Sequence, residues 1–535
     1  MTLLRYILLG TMTAAALLAA VPGQVKVESG IVSGAAGLKP GVRVYKGIPF
    51  AAPPVGNLRW RPPQPPAHWT GVRNGDHFAP ICPGAIDNPR SIFFLDPGPQ
   101  TINEDCLYLN VWTAAQSDSE RRPVMVWIYG GGFDHGSGTE KYYWGDDLAH
   151  KGAVVVTFDY RVGALGFLAH PDLTRESGHN ASGNYGLMDQ IAALQWVRRN
   201  IAKFGGDPMR VTIFGQSAGG SSVGQLMVSP LAKGLFQRAI GQSGGIGQGQ
   251  GERTLPKAEE AGVAFAASLG AKSIAELRAK SVAQIRAGKG RFSPIVDGYV
   301  IPADPYTTFK EDKQNDVPVI AGSTANEGGV RHISETAASA VGQAHKAYGE
   351  YADEYLKFFP AKTDAEAVAS AYAVAAARTA VGQRAWVRLE SQTGKHKGYL
   401  YLFSRIPPFP PGAHFLENET KNIGAYHAVD LIYVFDHLYL KPWPWRDTDR
   451  KIADDMSSYW INFAANGDPN GKGLPNWPAF NEGDQMRMDF GNTVAPERVR
   501  NQAALDFLAA HPVTREGRVV PVSRGSQDAT RRGTR

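Results

Sequence analysis

Short apolar runs broken by glycine- and proline-rich turns dominate the chain, and longer stretches of helical periodicity lie between several of them. Pro123–Tyr129 and Ala153–Phe158 are almost continuously apolar, the pattern of strands covered on both faces, and Leu107–Trp112 also reads as a strand. From about Gln24 to Val44, apolar and small polar residues alternate as in a hairpin. Within Asn184–Asn200, Leu187, Ile191, Leu194 and Val197 recur on one helical face, and Gly205-Gly206-Asp207-Pro208 ends that run. A further apolar strand from Arg210 then enters a turn of small residues, followed by a helix-compatible run through Met227. Phe236–Ile240, Val317–Ala321 and Gly398–Phe403 are later strand candidates. Residues 256–290 and 335–392 look helical, as does a stretch from about Asp447 with Met456, Trp460 and Phe463 on one face. Strand, helix, strand, helix in this order predicts an α/β fold on a large, mainly parallel sheet, with 335–392 as a helical insertion above it.

The ends and the composition refine this picture. Met1–Gly23 has one basic residue, then a run rich in Leu, Ile and Ala, then small residues, the pattern of a cleaved secretory signal peptide. No other stretch is long and apolar enough for a membrane, so none is expected to hold the mature chain there. The formal charge of +6 concentrates at the ends: Thr514–Arg535 carries six Arg against Glu516 and Asp528. The remaining body is near neutral and offers no nucleic-acid footprint. Residues 24–513 read as one catalytic domain, and 514–535 as a basic tail. The proline-rich segment Tyr45–Pro66 suits neither helix nor central strand, and Phe50, Trp60 and Trp69 predict that it packs as ordered coil. Two cysteines, Cys82 and Cys106, most simply form one disulfide in an exported protein. No His or Cys stands at zinc-ligand spacing around them, and neither metal nor organic cofactor is expected.

Candidate chemistry centres on G-x-S-x-G, a turn that lifts a serine from a strand end to a helix start. Two segments match: Gly215-Gln216-Ser217-Ala218-Gly219 and Gly241-Gln242-Ser243-Gly244-Gly245. Ser217 lies between an apolar strand and a helix-compatible run, whereas Ser243 precedes a glycine-rich stretch that starts a helix poorly. Ser217 is therefore the candidate nucleophile, and Ser243 a structural turn near the pocket. The N–H of Ala218 and those of the Gly130-Gly131-Gly132 run are candidate oxyanion donors. A phosphate cradle would need a P-loop lysine, which this run lacks. Seven histidines follow Ser217: His332, His345, His396, His414, His427, His437 and His511. His427 stands out, with small residues before it and an apolar run after it; His414 is the runner-up. Glu327, on a Gly-flanked loop after a buried strand, is the candidate acid. Asp297 is the alternative, better suited to a turn.

Several stretches together resemble the type-B carboxylesterase/lipase family of α/β-hydrolases, which includes the cholinesterases. They are Lys46–Gly56 with Leu58-Arg59-Trp60, Asn103–Asn110, Val126–Phe133, Asn184–Leu187, Phe204–Pro208 and the turn around Ser217. The resemblance implies an α/β-hydrolase fold with helical insertions over the active site, and a serine carboxylic-ester hydrolase acting on a small-molecule ester. It implies Ser217, Glu327 and His427 as the triad, Gly131, Gly132 and Ala218 as the oxyanion hole, and a Cys82–Cys106 disulfide. Two positions depart from the family. Gln216 replaces the usual Glu before the serine, and the 82–106 loop lacks the Trp that binds choline in cholinesterases, so no choline-ester activity is expected. Phe133, Gln216 and Phe292 are candidate substrate contacts, with Trp144 and Tyr426 as further pocket aromatics. An apolar, aryl or bulky ester is the expected substrate. A non-catalytic binding protein of the same fold, or an amidase with the same triad, are the alternatives.

Overall fold

The computed structural model describes residues 23–84, 90–95, 100–246 and 253–513. Apart from Gly23, the expected signal peptide lies outside them, as does the whole basic tail. Among the described residues thirteen strands form one sheet. They are β1 (Gln24–Val27), β2 (Gly30–Ala36), β3 (Arg43–Pro49), β4 (Val72–Gly75), β5 (Tyr108–Thr113), β6 (Arg122–Ile128), β7 (Val154–Phe158), β8 (Gly206–Gln216), β9 (Arg238–Gln242), β10 (Val319–Thr324), β11 (Gly398–Phe403), β12 (Met486–Phe490) and β13 (Val494–Arg498). The order is β1-β2-β3-β5-β7-β6-β8-β9-β10-β11-β12-β13, with β4 beside β2. From β7 to β12 every neighbouring pair is parallel. Antiparallel strands flank that centre. The apolar runs lie where covered strands are expected: Val124–Tyr129 and Val154–Val156 are fully buried.

Several boundaries shift for physical reasons. The strand expected at Phe236–Ile240 starts at Arg238: at Gln237 the backbone N–H donates to the Val211 carbonyl at 2.8 Å, but the Val211 N–H is taken by the Gln237 side-chain oxygen at 2.9 Å instead of a strand carbonyl. The strand expected at Val317–Ala321 begins after Pro318 and runs through Gly322 to Thr324. Gly322 reads as a strand end in the sequence, but a Cβ there would lie 2.1 Å from the Tyr401 ring, so its bareness lets β11 pack alongside. The 256–290 span is three helices, Leu255–Ser268, Ile274–Arg278 and Val282–Ala287. The 335–392 span is also three, Ala337–Tyr348, Ala352–Phe358 and Asp364–Thr393. The last of these packs on β10 and β11, with Trp386 fully buried against Gly241 and Gly245.

The family-like motifs outside the site act as fasteners. The Arg59 guanidinium pairs with both Glu104 oxygens at 2.7 and 2.5 Å and donates to the Arg278 and Lys280 carbonyls, while the Trp60 indole donates to the Ala164 carbonyl at 2.8 Å. Cys82 and Cys106 are disulfide-bonded. Helix Tyr185–Asn200 is anchored by Asp189, which takes two guanidinium bonds from Arg161 at 2.8 Å and the Arg161 backbone N–H at 3.0 Å. Gly186 permits that approach, since a Cβ would sit 2.5 Å from the Arg161 carbonyl oxygen. Arg161 and Asp189 side chains are 4% and 0% exposed, so Asp189→Ala would strand a buried cation. The expected loss is about 3–5 kcal/mol, read as a lower urea midpoint with an unchanged slope.

Candidate active site

At the end of β8 the chain turns through Ser217, whose φ of 58° and ψ of −120° lie outside the ordinary wells, and enters helix Ala218–Val228. The turn is possible only because three backbones nearly touch. A Cβ on Gly215 would lie 2.6 Å from the Gly219 backbone, and one on Gly219 would lie 1.9 Å from the Ile128 oxygen. The Ser217 N–H donates to the Gln242 carbonyl at 2.8 Å, tying the elbow to the next strand. The helix start lies directly after the serine, so its free N–H groups and positive dipole end gather there.

The second G-x-S-x-G sits beside the first, in register. Gly215 pairs with Gly241 and Gln216 with Gln242 across β8 and β9. Ser243 also has positive φ, 51°, and its N–H donates to the Gly322 carbonyl at 2.8 Å, as Ser217 does to Gln242 one strand earlier. Its hydroxyl points elsewhere, donating to Glu327 Oε1 at 2.5 Å.

Glu327 follows β10 and is almost wholly buried, with its side chain 4% exposed. Besides Ser243, it accepts the Thr324 N–H at 2.9 Å on Oε1, and Oε2 faces His427 Nδ1 at 2.5 Å. A backbone clasp creates this pairing. The Asn326 N–H donates to the Ala425 carbonyl, the Ala425 N–H donates to Asn326 Oδ1, both at 2.9 Å, and Asn326 bridges Tyr426. Gly424 has φ 56°, and a Cβ there would meet Asn326 Oδ1 at 2.4 Å, so the clasp needs a glycine. Burial works against both charged forms, but each partner outweighs it. The imidazole, with Ser243 and Thr324, holds the Glu327 carboxyl below the ordinary carboxylate range, and the Glu327 charge and hydrogen bond lift His427 above the ordinary histidine value. His427 Nε2 lies 3.0 Å from the Gln216 side-chain nitrogen. Below the ring, buried Asp430 accepts from Tyr401 Oη at 2.8 Å and Gln242 Nε2 at 3.0 Å, and burial raises its carboxyl.

Opposite the elbow, Gly131 and Gly132 have φ of 94° and 65°. Gly131 is boxed in, since a Cβ would lie 2.2 Å from the His135 oxygen, whereas a Cβ on Gly132 would meet nothing within 4 Å. A cavity of about 250 Å³ connects these glycines with Gln216, Ser217 and His427. Phe93, Tyr142, Tyr143, Tyr426 and Leu431 supply its apolar and aromatic wall, and His135 and Glu140 its polar side. Gln216 and Tyr426 therefore stand where a substrate contact would. Phe133 and Phe292 do not line this cavity: Phe133 packs edge-on against Phe167 at 5.4 Å, and Phe292 against Phe265 at 4.9 Å. Both are drawn into apolar clusters by neighbouring phenylalanines that lie far off in sequence. Trp144 likewise packs against Phe78. Asp297 accepts from the Tyr299 and Ile301 N–H groups, the expected turn role, and His414 is exposed on a loop. Phe93 was not singled out from the sequence; its place inside the disulfide-closed 82–106 loop was the available signal.

The family model for the carboxylesterase family matches residues 22–508. The chain is 38% identical over 487 residues to fumonisin B1 esterase of Sphingopyxis macrogoltabida, covering 87% of this chain and 86% of the relative. It is 35% identical over 475 residues to para-nitrobenzyl esterase of Bacillus subtilis (strain 168), covering 83% and 90%. Among solved structures, a PNB esterase superposes with a TM-score of 0.76 at 29% identity, over 90% of this chain and 98% of the other.

The electrostatic pair makes a prediction of its own. The His427 ring should titrate above about 6.5, the usual histidine value, and Glu327→Gln should lower that midpoint by removing the charge that favours the cation. Ring-nitrogen NMR of the two proteins across pH 5–9 reads both.

Proposed function

Because the chain belongs to the carboxylesterase family, we propose that it hydrolyses carboxylic esters through Ser217, His427 and Glu327 by way of an acyl-enzyme. The observation that carries this reading is the 2.5 Å contact between His427 and buried Glu327, with His427 and Ser217 opening onto one cavity. Glu327 accepts from Nδ1 and leaves Nε2 as the base. Nε2 takes the proton of Ser217 Oγ as that oxygen attacks the ester carbonyl carbon. The carbonyl oxygen becomes an oxyanion, received by the N–H groups of Gly131, Gly132 and Ala218. The imidazolium then protonates the departing alkoxide, leaving the acyl group on Ser217. A water, deprotonated by the same imidazole, attacks the acyl carbon; the bond to Ser217 Oγ breaks, the imidazolium returns the proton to that oxygen, and the acid is released.

The aromatic wall suits an apolar or aryl ester, and the name of the Bacillus relative, a para-nitrobenzyl esterase, points to the same class. Neutral Gln216 beside the base, and a 82–106 loop offering Phe93 in place of a Trp, argue against a choline-ester preference. The disulfide supports export to an oxidising compartment. Among the described residues no helix is long and apolar enough to cross a membrane.

Ser217→Ala should lower kcat on p-nitrophenyl butyrate by about 10⁴–10⁶-fold, because nucleophile and base act as one unit. Wild-type turnover in that variant would overturn the assignment.

A further inference from the structure

We propose that Gln216 is a positioning residue for the ester hydrolysis proposed above: its amide donates to His427 while the ring is neutral and turns over to follow the ring when it becomes a cation. The inference rests on that functional reading and begins with the hydrogen-bond bookkeeping around the imidazole. Ionised Glu327 can only accept, so the short contact at Nδ1 requires a proton on Nδ1. In the neutral ring Nε2 then carries a lone pair. The group 3.0 Å from it is the Gln216 amide nitrogen, a donor. The resting hydrogen bond therefore runs from Gln216 to His427, and it stabilises the neutral ring alone.

Catalysis inverts the requirement. Nε2 has a single lone pair, so the amide must release it before Ser217 Oγ can pass its proton there; once protonated, Nε2 is a donor and can no longer accept from the amide. A half-turn about the last side-chain bond of Gln216 brings Oε1 into the same place as an acceptor. At rest Oε1 lies beside Gly130, where a Cβ would stand only 3.1 Å from it, so a bare glycine is what lets the amide sit there. An amide thus serves both charge states and adds charge to neither. A carboxylate at this position could serve only the cation. It would also add a negative charge to a ring already facing Glu327 and, more distantly, Asp430, with Arg331 acting in the opposite sense. His135 and Glu140 lie on the polar side of the cavity. All of these groups are common to wild type and position-216 variants, so a difference between them reports on position 216.

The test is the pH dependence of kcat/KM on p-nitrophenyl butyrate for wild type, Gln216→Met and Gln216→Glu, each checked for an unchanged melting temperature. The acid limb reports protonation of the free base. In Gln216→Glu its midpoint should rise by about 1–3 pH units, the usual effect of an adjacent opposite charge. In Gln216→Met it should rise by less, since only a hydrogen bond to the neutral form is lost. Acid limbs that superimpose in folded variants would overturn the inference. Should neither variant fold, the ring-nitrogen spectrum of the wild-type protein decides: Nε2 of neutral His427 should show a hydrogen-bonded acceptor shift, and a free-lone-pair shift would overturn it. Wild-type activity in Ser217→Ala would sink the functional reading itself. Loss of activity there, with unmoved acid limbs here, would sink this inference alone.

Discussion

The site depends on a steric constraint: backbones meet at the strand ends with no space for a side chain between them. The Gly219 Cα sits so close to Ile128 that any Cβ would overlap its carbonyl oxygen, and Gly244 stands in the same relation to the Ser217 oxygen, each at 1.9 Å. These contacts lock β6, β8, β9 and the helix after Ser217 into one rigid body. Ser217 keeps its unfavourable torsions because its surroundings over-determine them. Alignment of the helix N-terminus with the serine follows from the same packing, without any charged residue in the turn.

The parts of the site far apart in sequence are joined by burial beneath it. Trp127 on β6 packs against Phe214 on β8 at 4.9 Å and against Phe435 at 5.2 Å, eight positions after His427 in the chain. One aromatic cluster therefore braces the strand leading to the glycine loop, the strand leading to Ser217 and the segment that carries the histidine. Asp430 adds a polar tie, linking that segment to Gln242 and Tyr401. Its burial disfavours the charged form, whereas the hydrogen bonds from Tyr401 and Gln242 favour it.

Much of this was legible in the chain because the relevant information is local. The apolar runs of β6 and β7, the helix from Tyr185 and the turn around Ser217 each carry their pattern within about a dozen residues. Boundaries failed where one long-range contact overrode a local cue, as with Gly322 under the Tyr401 ring and Gln237 bonded to Val211. Aromatic side chains were the least legible. Whether Phe133 or Phe93 faces the cavity turns on Phe167 and on the course of a disulfide-closed loop, and no periodicity records either. The resemblance to a family named Glu327 and His427, but not the clasp between Asn326 and Ala425 that brings them together.

The duplicated Gly-Gln-Ser shows what a parallel sheet does with repeated text. In-register neighbours are related by a translation of about 4.8 Å, so equal words on adjacent strands are set in equal shapes. The copies diverge after the serine, where Ser217 opens helix Ala218–Val228 and Ser243 stands in a bend, and in what faces them: Gln216 and Ser217 meet a histidine and the cavity, whereas Gln242 and Ser243 meet Asp430 and Glu327. Sequence specifies the geometry of each copy, and lateral position on the sheet assigns its job. The second serine thus ends as a donor to the same carboxylate that faces the histidine.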